Sequence, residues 1–515
     1  DQAGLAKVQD AVRSERRFCA LRRKYPRDEG EDLGPREAAL DDLLTLLQPT
    51  DPTERYRWLF RAAWIEWPEA RVEEPDDYRD RDARVRQMRA QAVAEIRESG
   101  GVEGVVAFAV QMNEPGTVGE AFRQSEADEV ALASFVAACL RHPSRDAAVS
   151  VLKGIFWQLA EGGYDRLLSA VRDDVAADQD RRMRIAESLP GHPDAWNAIA
   201  KLGPEAEQHF WSVVRVDGFR LEDADAETAA DRLLRASRPR TALASFHLRE
   251  ERLSARTWAR LLHDVAYIEE SGGPLVDRYD LKRIFSRLDA SDDLTQDEIA
   301  RLEWPFVPAF WVSGERELAL HRVMGNNPEE YVQFLTLAFK RSDNVDEESA
   351  SEQAATNAYE LLASWRSFPG LRKDGWIDEN AFVAWNRETR TQAALSARLT
   401  IADLKLGETY AYAKAGPDGV WPPEPIRNLL DGVDGADLRR GFATGVHNSR
   451  GVTTRAPYEG GGQERAVAER HEQVARSMDN SHPRLAATLR GIAQDYRRQA
   501  QSEDDRAAIS ERWHP

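Results

Sequence analysis

Cysteine is nearly missing from this chain: Cys19 and Cys139 are the two in 515 residues. That number excludes a disulfide framework and a cysteine zinc site. Both lie in helical apolar patterns beside Ala and Leu, where they read as small buried side chains of a protein in a reducing cytoplasm. Long hydrophobic runs are missing too. The most apolar window, Val102–Met112, is much shorter than the roughly 20 apolar residues of a membrane span and reads as a buried helix. Positive charge is in deficit, with 70 Lys and Arg against 89 Asp and Glu and a net charge of −19. Such a balance repels nucleic acid on average, so neither a nucleic-acid partner nor a membrane is expected. The basic residues alternate with acids, as in Asp76-Asp77-Tyr78-Arg79-Asp80-Arg81-Asp82-Ala83-Arg84, the pattern of a solvated helix face.

Catalytic signatures are also missing. The chain has no Gly-x-x-x-x-Gly-Lys-Ser/Thr phosphate loop, no Gly-x-Ser-x-Gly elbow and no protein-kinase signature set. His471-Glu472 lacks the second histidine of a zinc helix, and the ten histidines are scattered without metal-ligand spacing. No catalytic residue, metal or cofactor is assigned. There is no apolar leader at the start, and a chain opening on Asp1 rather than Met is expected to be a segment of a longer protein.

What is present is helix. At 42% hydrophobic the chain is too apolar for global disorder, and at 515 residues it exceeds the roughly 250–300 residues at which single cores stop growing. Apolar residues recur at three and four positions: Leu40, Leu43, Leu44, Leu47; Val130, Leu132, Phe135, Val136, Leu140; Val149, Leu152, Ile155, Phe156, Leu159. Strand-like alternation is confined to short pieces such as Ser212–Phe219. Prolines stand where a first helical turn tolerates a missing N–H, as in His192-Pro193, Gly203-Pro204, Asn327-Pro328 and His482-Pro483. Thr295-Gln-Asp-Glu298 reads as a capping box.

Helix pairs at intervals of roughly 30–45 residues point to an all-α, irregular α-solenoid-like array of helical hairpins. The polar run Arg341–Gln353 and the Pro/Gly-rich Ala415–Pro425 interrupt it, and a weaker break lies near Val216–Ala226. The expected regions are an N-terminal array (1–216), a middle array (217–345) and a C-terminal region (346–515) that ends in a helical hairpin.

Fourteen tryptophans, including Trp58, Trp64, Trp67, Trp304, Trp311, Trp365, Trp376 and Trp385, are expected to fill gaps between helices. The segment 445–465 is the best candidate site. It gathers Gly445, Gly451 and Gly460, Gly461 and Gly462 with His447, Asn448, Arg450, Arg455, Tyr458, Gln463 and Glu464. Glycines let backbone approach a ligand closely, and the two arginines suit a phosphate or carboxylate. The competing reading is a surface connection whose glycines only make turns.

The run Lys201-Leu-Gly-Pro-Glu-Ala-Glu-Gln-His-Phe-Trp211, the segment Arg301-Leu-Glu-Trp304-Pro305 and the tail Gly445–Gln499 resemble the C-terminal helical region of large bacterial proteins associated with anti-phage defence. The resemblance implies a helical sensor or scaffold attached to an N-terminal effector or NTPase domain. The expected function is then a non-catalytic interaction module that binds a protein partner, phage-derived or another domain of the same protein, on the concave face of the array. Two alternatives stand beside it. One is an enzyme, a nuclease or nucleotide hydrolase, with a non-standard helical site using Arg450 and Arg455. The other is a nucleic-acid-binding array.

Overall fold

A computed structural model describes residues 2–24, 32–65, 78–126, 128–159, 162–310, 317–343, 345–372, 374–451, 453–456 and 459–513. Helix accounts for 73% of the described residues and no strand forms among them, so the protein is all-α, as its apolar spacing predicts. Leu371 and Ile377 make an isolated antiparallel bridge across a turn.

The chain folds as two compact units. Residues 1–253 form the first together with Glu269–Pro274; Ser254–Ile268 and 275–515 form the second. The breaks expected at 216 and 345 both fall inside a unit. Each is nevertheless a local non-helical segment, after Val213 and at 341–343 and 345–351.

In the first unit helices pack on others two or three places further along the chain as well as on their neighbours. Pro115–Ser125 lies against Arg145–Trp157, which lies against Gln179–Ser188, which lies against Pro204–Val213. Glu129–Arg141 joins this stack through Leu132, Phe135, Val136 and Leu140, all buried, and Phe135 stacks on Phe122 with centroids 3.9 Å apart. Val130, counted with that stripe by its spacing, points out and is 76% exposed. Its place in the first turn, directly after the Asp128 cap, puts it off the buried face.

The second unit follows the same habit. Ala255–Tyr267, Gln296–Glu303 and Ala319–Asn326 stack in order. Pro328–Ala338 then packs on Glu379–Leu395, and Leu399–Tyr410 on Ala436–Ser449. The last pair, Gly462–Ser477 and Pro483–Trp513, is the expected closing hairpin, with Leu485, Leu489, Ile492 and Tyr496 buried against Ala468, Ala475 and Met478. Tyr331, Trp365 and Trp385 are mutual neighbours with centroids 5.3, 5.4 and 5.8 Å apart. Each such aromatic pair adds about 0.5–1.5 kcal/mol beyond its buried area. The gap-filling role holds for Trp365 and Trp385, whereas Trp64 and Trp376 are exposed, and Trp67 and Trp311 lie outside the described residues.

Helix ends are closed by side chains from distant positions. The capping box at Thr295 forms as its sequence predicts, with both reciprocal bonds in place. Elsewhere the orphan N–H groups of a first turn find a remote carboxylate. Glu270 accepts from the backbone of Arg240 and Thr241 at 2.7 and 3.1 Å. Glu303, fully buried, accepts from Ala319 and Leu320 at 3.0 and 2.9 Å. Asp431 accepts from Arg484 and Leu485 at 2.7 and 3.0 Å.

The opposite helix ends use arginine drawn into the fold. After the left-handed Ser237, Arg238 donates to the carbonyls of Trp211 and Val214 at 3.0 and 2.7 Å. After the left-handed Ala397, Arg398 donates to Phe339 and Ser396, each at 2.8 Å, and pairs with Glu347. The same helix, left-handed residue, arginine, helix device thus occurs once in each unit. These arginines lie largely inside the fold: the Arg238 side chain is 16% exposed and that of Arg398 1%.

Candidate functional site

The 445–465 segment is shorter as a connection than its composition implies. The helix Ala436–Ser449 runs through Gly445, His447 and Asn448, and the next helix begins at Gly462, so the connection is 450–461. Gly445 is a packing residue. A Cβ there would stand 2.4 Å from the Glu408 carbonyl, and one on Gly441 would stand 2.0 Å from that of Leu404. These two helices touch backbone to backbone, which any larger side chain would prevent.

The charged residues of this segment satisfy one another. Glu464, 1% exposed, accepts from Arg450 at 2.6 Å and from Arg455 at 2.6 and 3.3 Å, and Arg455 also reaches Glu503 at 3.1 Å. Burial alone would push the Glu464 carboxyl up, but hydrogen bonds from Arg455 and Arg450 outweigh it and hold it below the usual carboxylate range. The Arg450 guanidinium also lies over the Tyr496 ring.

His447 stacks beside Tyr496 with its Nε2 3.7 Å from Asp495. His471 lies between Tyr496 and Trp421, and burial, with the charges of Arg470 and His447, lowers its pKa to about 4. Gly461 donates its N–H to Asp504 at 2.8 Å and sits where a Cβ would be 2.2 Å from the Ala500 carbonyl; Gly460 is left-handed beside it. Gln463 closes the turn onto Thr454 and Glu459 at 3.1 and 2.8 Å. Gly462 meets nothing within 4 Å, Asn448 is exposed, and Tyr458 lies outside the described residues. Both arginines expected to greet an anion are therefore already bound to one, the chain's own Glu464. Asp504, on the closing helix, turns back to hold the Gly461 amide.

A second place, in the 254–515 unit, was not singled out from the sequence. Ala255–Tyr267 carries two stripes. Trp258, Leu261, Leu262 and Val265 face the core, while Arg256, Ala259, His263 and Tyr267 face a hollow of about 480 Å³. The small side chains of Ala259 and Ala266 leave that space open. A larger hollow of about 900 Å³ adjoins it, floored by Trp304, Leu320, Val323, Phe334 and Leu337. Tyr267 and Arg301 line both, so the two form one groove.

Tyr267 is 64% exposed. The side chains of Arg301, Asn326 and Gln333 carry no hydrogen-bond or ion-pair partner among the described residues. Nearby cations are engaged: Arg256 pairs with Glu298, and Arg322 with Asp289, Glu317 and Gln296. Trp304 is fixed from beneath, tilted 5.3 Å from Phe334 with its carbonyl accepting from Asn357 at 2.9 Å. The sequence signal was there, in Arg301-Leu-Glu-Trp304-Pro305, but helix spacing alone reads it as packing.

The fold and this groove define an all-α protein with an open, largely apolar cleft between stacked helices. Comparison of the chain with family models, curated proteins and solved structures finds no match in any of the three. Among the described residues no group of three or more His, Cys, Asp or Glu is placed to hold a metal ion, and no helix is long and apolar enough to cross a membrane.

Proposed function

We propose that the chain is a non-catalytic helical interaction module that binds a protein partner in the groove of its 254–515 unit. In this reading it serves as the sensor region of a larger bacterial defence protein of the cytoplasm. One observation carries it: an exposed aromatic, Tyr267, and a cation without a partner among the described residues, Arg301, stand together over an apolar hollow. Desolvated aromatic and arginine anchors in a pocket are what interface hot spots are made of, and hollows of roughly 300–1,000 Å³ are the size of binding sites. The 445–465 segment offers less, because Arg450 and Arg455 are both held by Glu464.

A photo-crosslinking amino acid placed at Gln333, and as a control at the outward-facing Glu379, tests the reading in the native host. A partner captured at Gln333, missing at Glu379 and lost when Ala266→Trp fills the groove supports it. Identical products at the two positions would overturn it. The enzyme alternative is checked by incubating the chain with nucleotides or nucleic acid and a divalent metal. Turnover abolished by Arg450→Ala or Arg455→Ala would replace the binding reading.

A further inference from the structure

Resting on that reading, we infer that the groove takes a segment of the partner in extended conformation, with an acidic residue at Arg301 and a basic residue at Glu330. Three features of the lining carry this.

The first is the polarity of the groove. In the smaller hollow Arg256 is tied to Glu298 and His263 to Asp264, which leaves Arg301, shared by both hollows, as its unspent cation among the described residues. The larger hollow presents Asp297 and Glu330, whereas its other cation, Arg322, is tied to Asp289 and Glu317. Arg301 therefore lacks an anion and Glu330 a cation among the described residues. A ligand that supplies both in the right order is bound in one direction only.

The second is the set of amides. Asn326 and Gln333 are exposed at the larger hollow with heads unoccupied among the described residues, where Asn327 beside them uses only its oxygen, to accept from Glu329. A carboxamide holds one acceptor and two donors at fixed spacing. That complements the N–H and C=O of a peptide unit, and only extended backbone leaves those groups unpaired and pointing sideways. A helical ligand has already spent them internally.

The third is the apolar floor of Trp304, Val323, Phe334 and Leu337, which receives the alternate side chains that an extended strand turns to one face. Tyr267, at the junction, is placed to pack over the chain as it passes from one hollow to the other.

The test is selection of a random peptide library displayed on phage against the full chain, followed by titration of the enriched peptides, synthesised with a fluorophore, by anisotropy. The enriched peptides are expected to share one acidic and one basic position at fixed separation, to show no amphipathic helical pattern, and to be displaced by Ala266→Trp. Arg301→Glu should weaken binding at least tenfold, and replacing the peptide's acidic residue by Lys should restore it to that variant. Glu330→Lys should do the same for the basic position, and Gln333→Ala should weaken binding severalfold. Circular dichroism of each variant, unchanged in helix content, shows that the loss is local.

Enriched peptides with helical periodicity would overturn the inference, as would peptides that bind Arg301→Glu as well as the parent or a library that yields no binder. A partner still crosslinked at Gln333 in any of those cases would leave the interaction reading standing without this ligand.

Discussion

A buried carboxylate held by two arginines sets the chemistry around Glu464. Replacing it with Gln keeps the shape and removes the charge, leaving Arg450 and Arg455 facing a neutral amide. Removing one partner of a fully buried pair costs about 3–5 kcal/mol, and since both arginines are partly exposed, about 2–3 kcal/mol is expected for Glu464→Gln in urea unfolding. Because the folded carboxyl titrates below its unfolded value, its contribution is complete above about pH 4.3 and disappears as pH falls through the lower folded value. The gap between wild type and variant should therefore be constant from pH 8 to 5 and close in acid.

His471 behaves with the opposite chemistry in a higher window. Its folded pKa of about 4 lies below the unfolded value near 6.5, so the unfolded chain takes up a proton that the folded chain refuses. Stability is full above about pH 6.5 and falls by on the order of 2–3 kcal/mol towards pH 4. His471→Phe, which keeps a ring between Trp421 and Tyr496, should flatten that part of the stability–pH curve. A variant curve parallel to the wild type between pH 7 and 4 would contradict the assignment.

Some helix starts in this protein are capped by local sequence and others by distant residues, which decides how much of each was legible. Thr295 and Glu298 lie three positions apart, and their capping box could be read directly from the chain. The first-turn prolines at Pro193, Pro204 and Pro328 were legible for the same reason. Nothing near Ala319 announces Glu303, and nothing near Leu485 announces Asp431, because those bonds span 16 and 54 residues. Arg450, Arg455 and Glu464 all stood within one quoted segment. Only folding shows that they neutralise one another instead of meeting a ligand.

Helix-to-helix contact gives the prediction at this scale. Gly441→Ala would drive a methyl to 2.0 Å from the Leu404 carbonyl, where only backbone can give way. Forcing apart the helices Leu399–Tyr410 and Ala436–Ser449 should cost about 1–3 kcal/mol or more. Gly462→Ala, whose new methyl meets nothing within 4 Å, is the matched control and should be near neutral. Thermal melts of the two variants side by side are the measurement.

For the molecule as a whole, the all-α class followed from apolar spacing, because a period of three and four residues survives any arrangement of the helices. The division into two units did not follow. It depends on which helices choose each other, and the breaks visible in the sequence are only local interruptions. Since Ser254–Ile268 and 275–515 contain every groove residue, a 254–515 fragment is expected to fold cooperatively and to bind the selected peptides as the full chain does. A fragment ending at Leu253 lacks Glu270, so the amides of Arg240 and Thr241 lose their acceptor. It should be less stable than the same unit in the full chain, by about 1–3 kcal/mol. Hydrogen exchange at those two amides reads the difference.

The polypeptide thus leaves the first unit at Leu253, contributes a helix to the second, and comes back for Glu269–Pro274 before departing for good. On a ribosome this imposes an order of events. The helix Pro239–Phe246 emerges 30 residues ahead of the carboxylate that closes it. At translation speeds of about 5–20 residues per second that is a wait of roughly two to six seconds. Nascent first units will therefore linger nearly complete, with one helix end still bare, until a stretch of the second unit has been made.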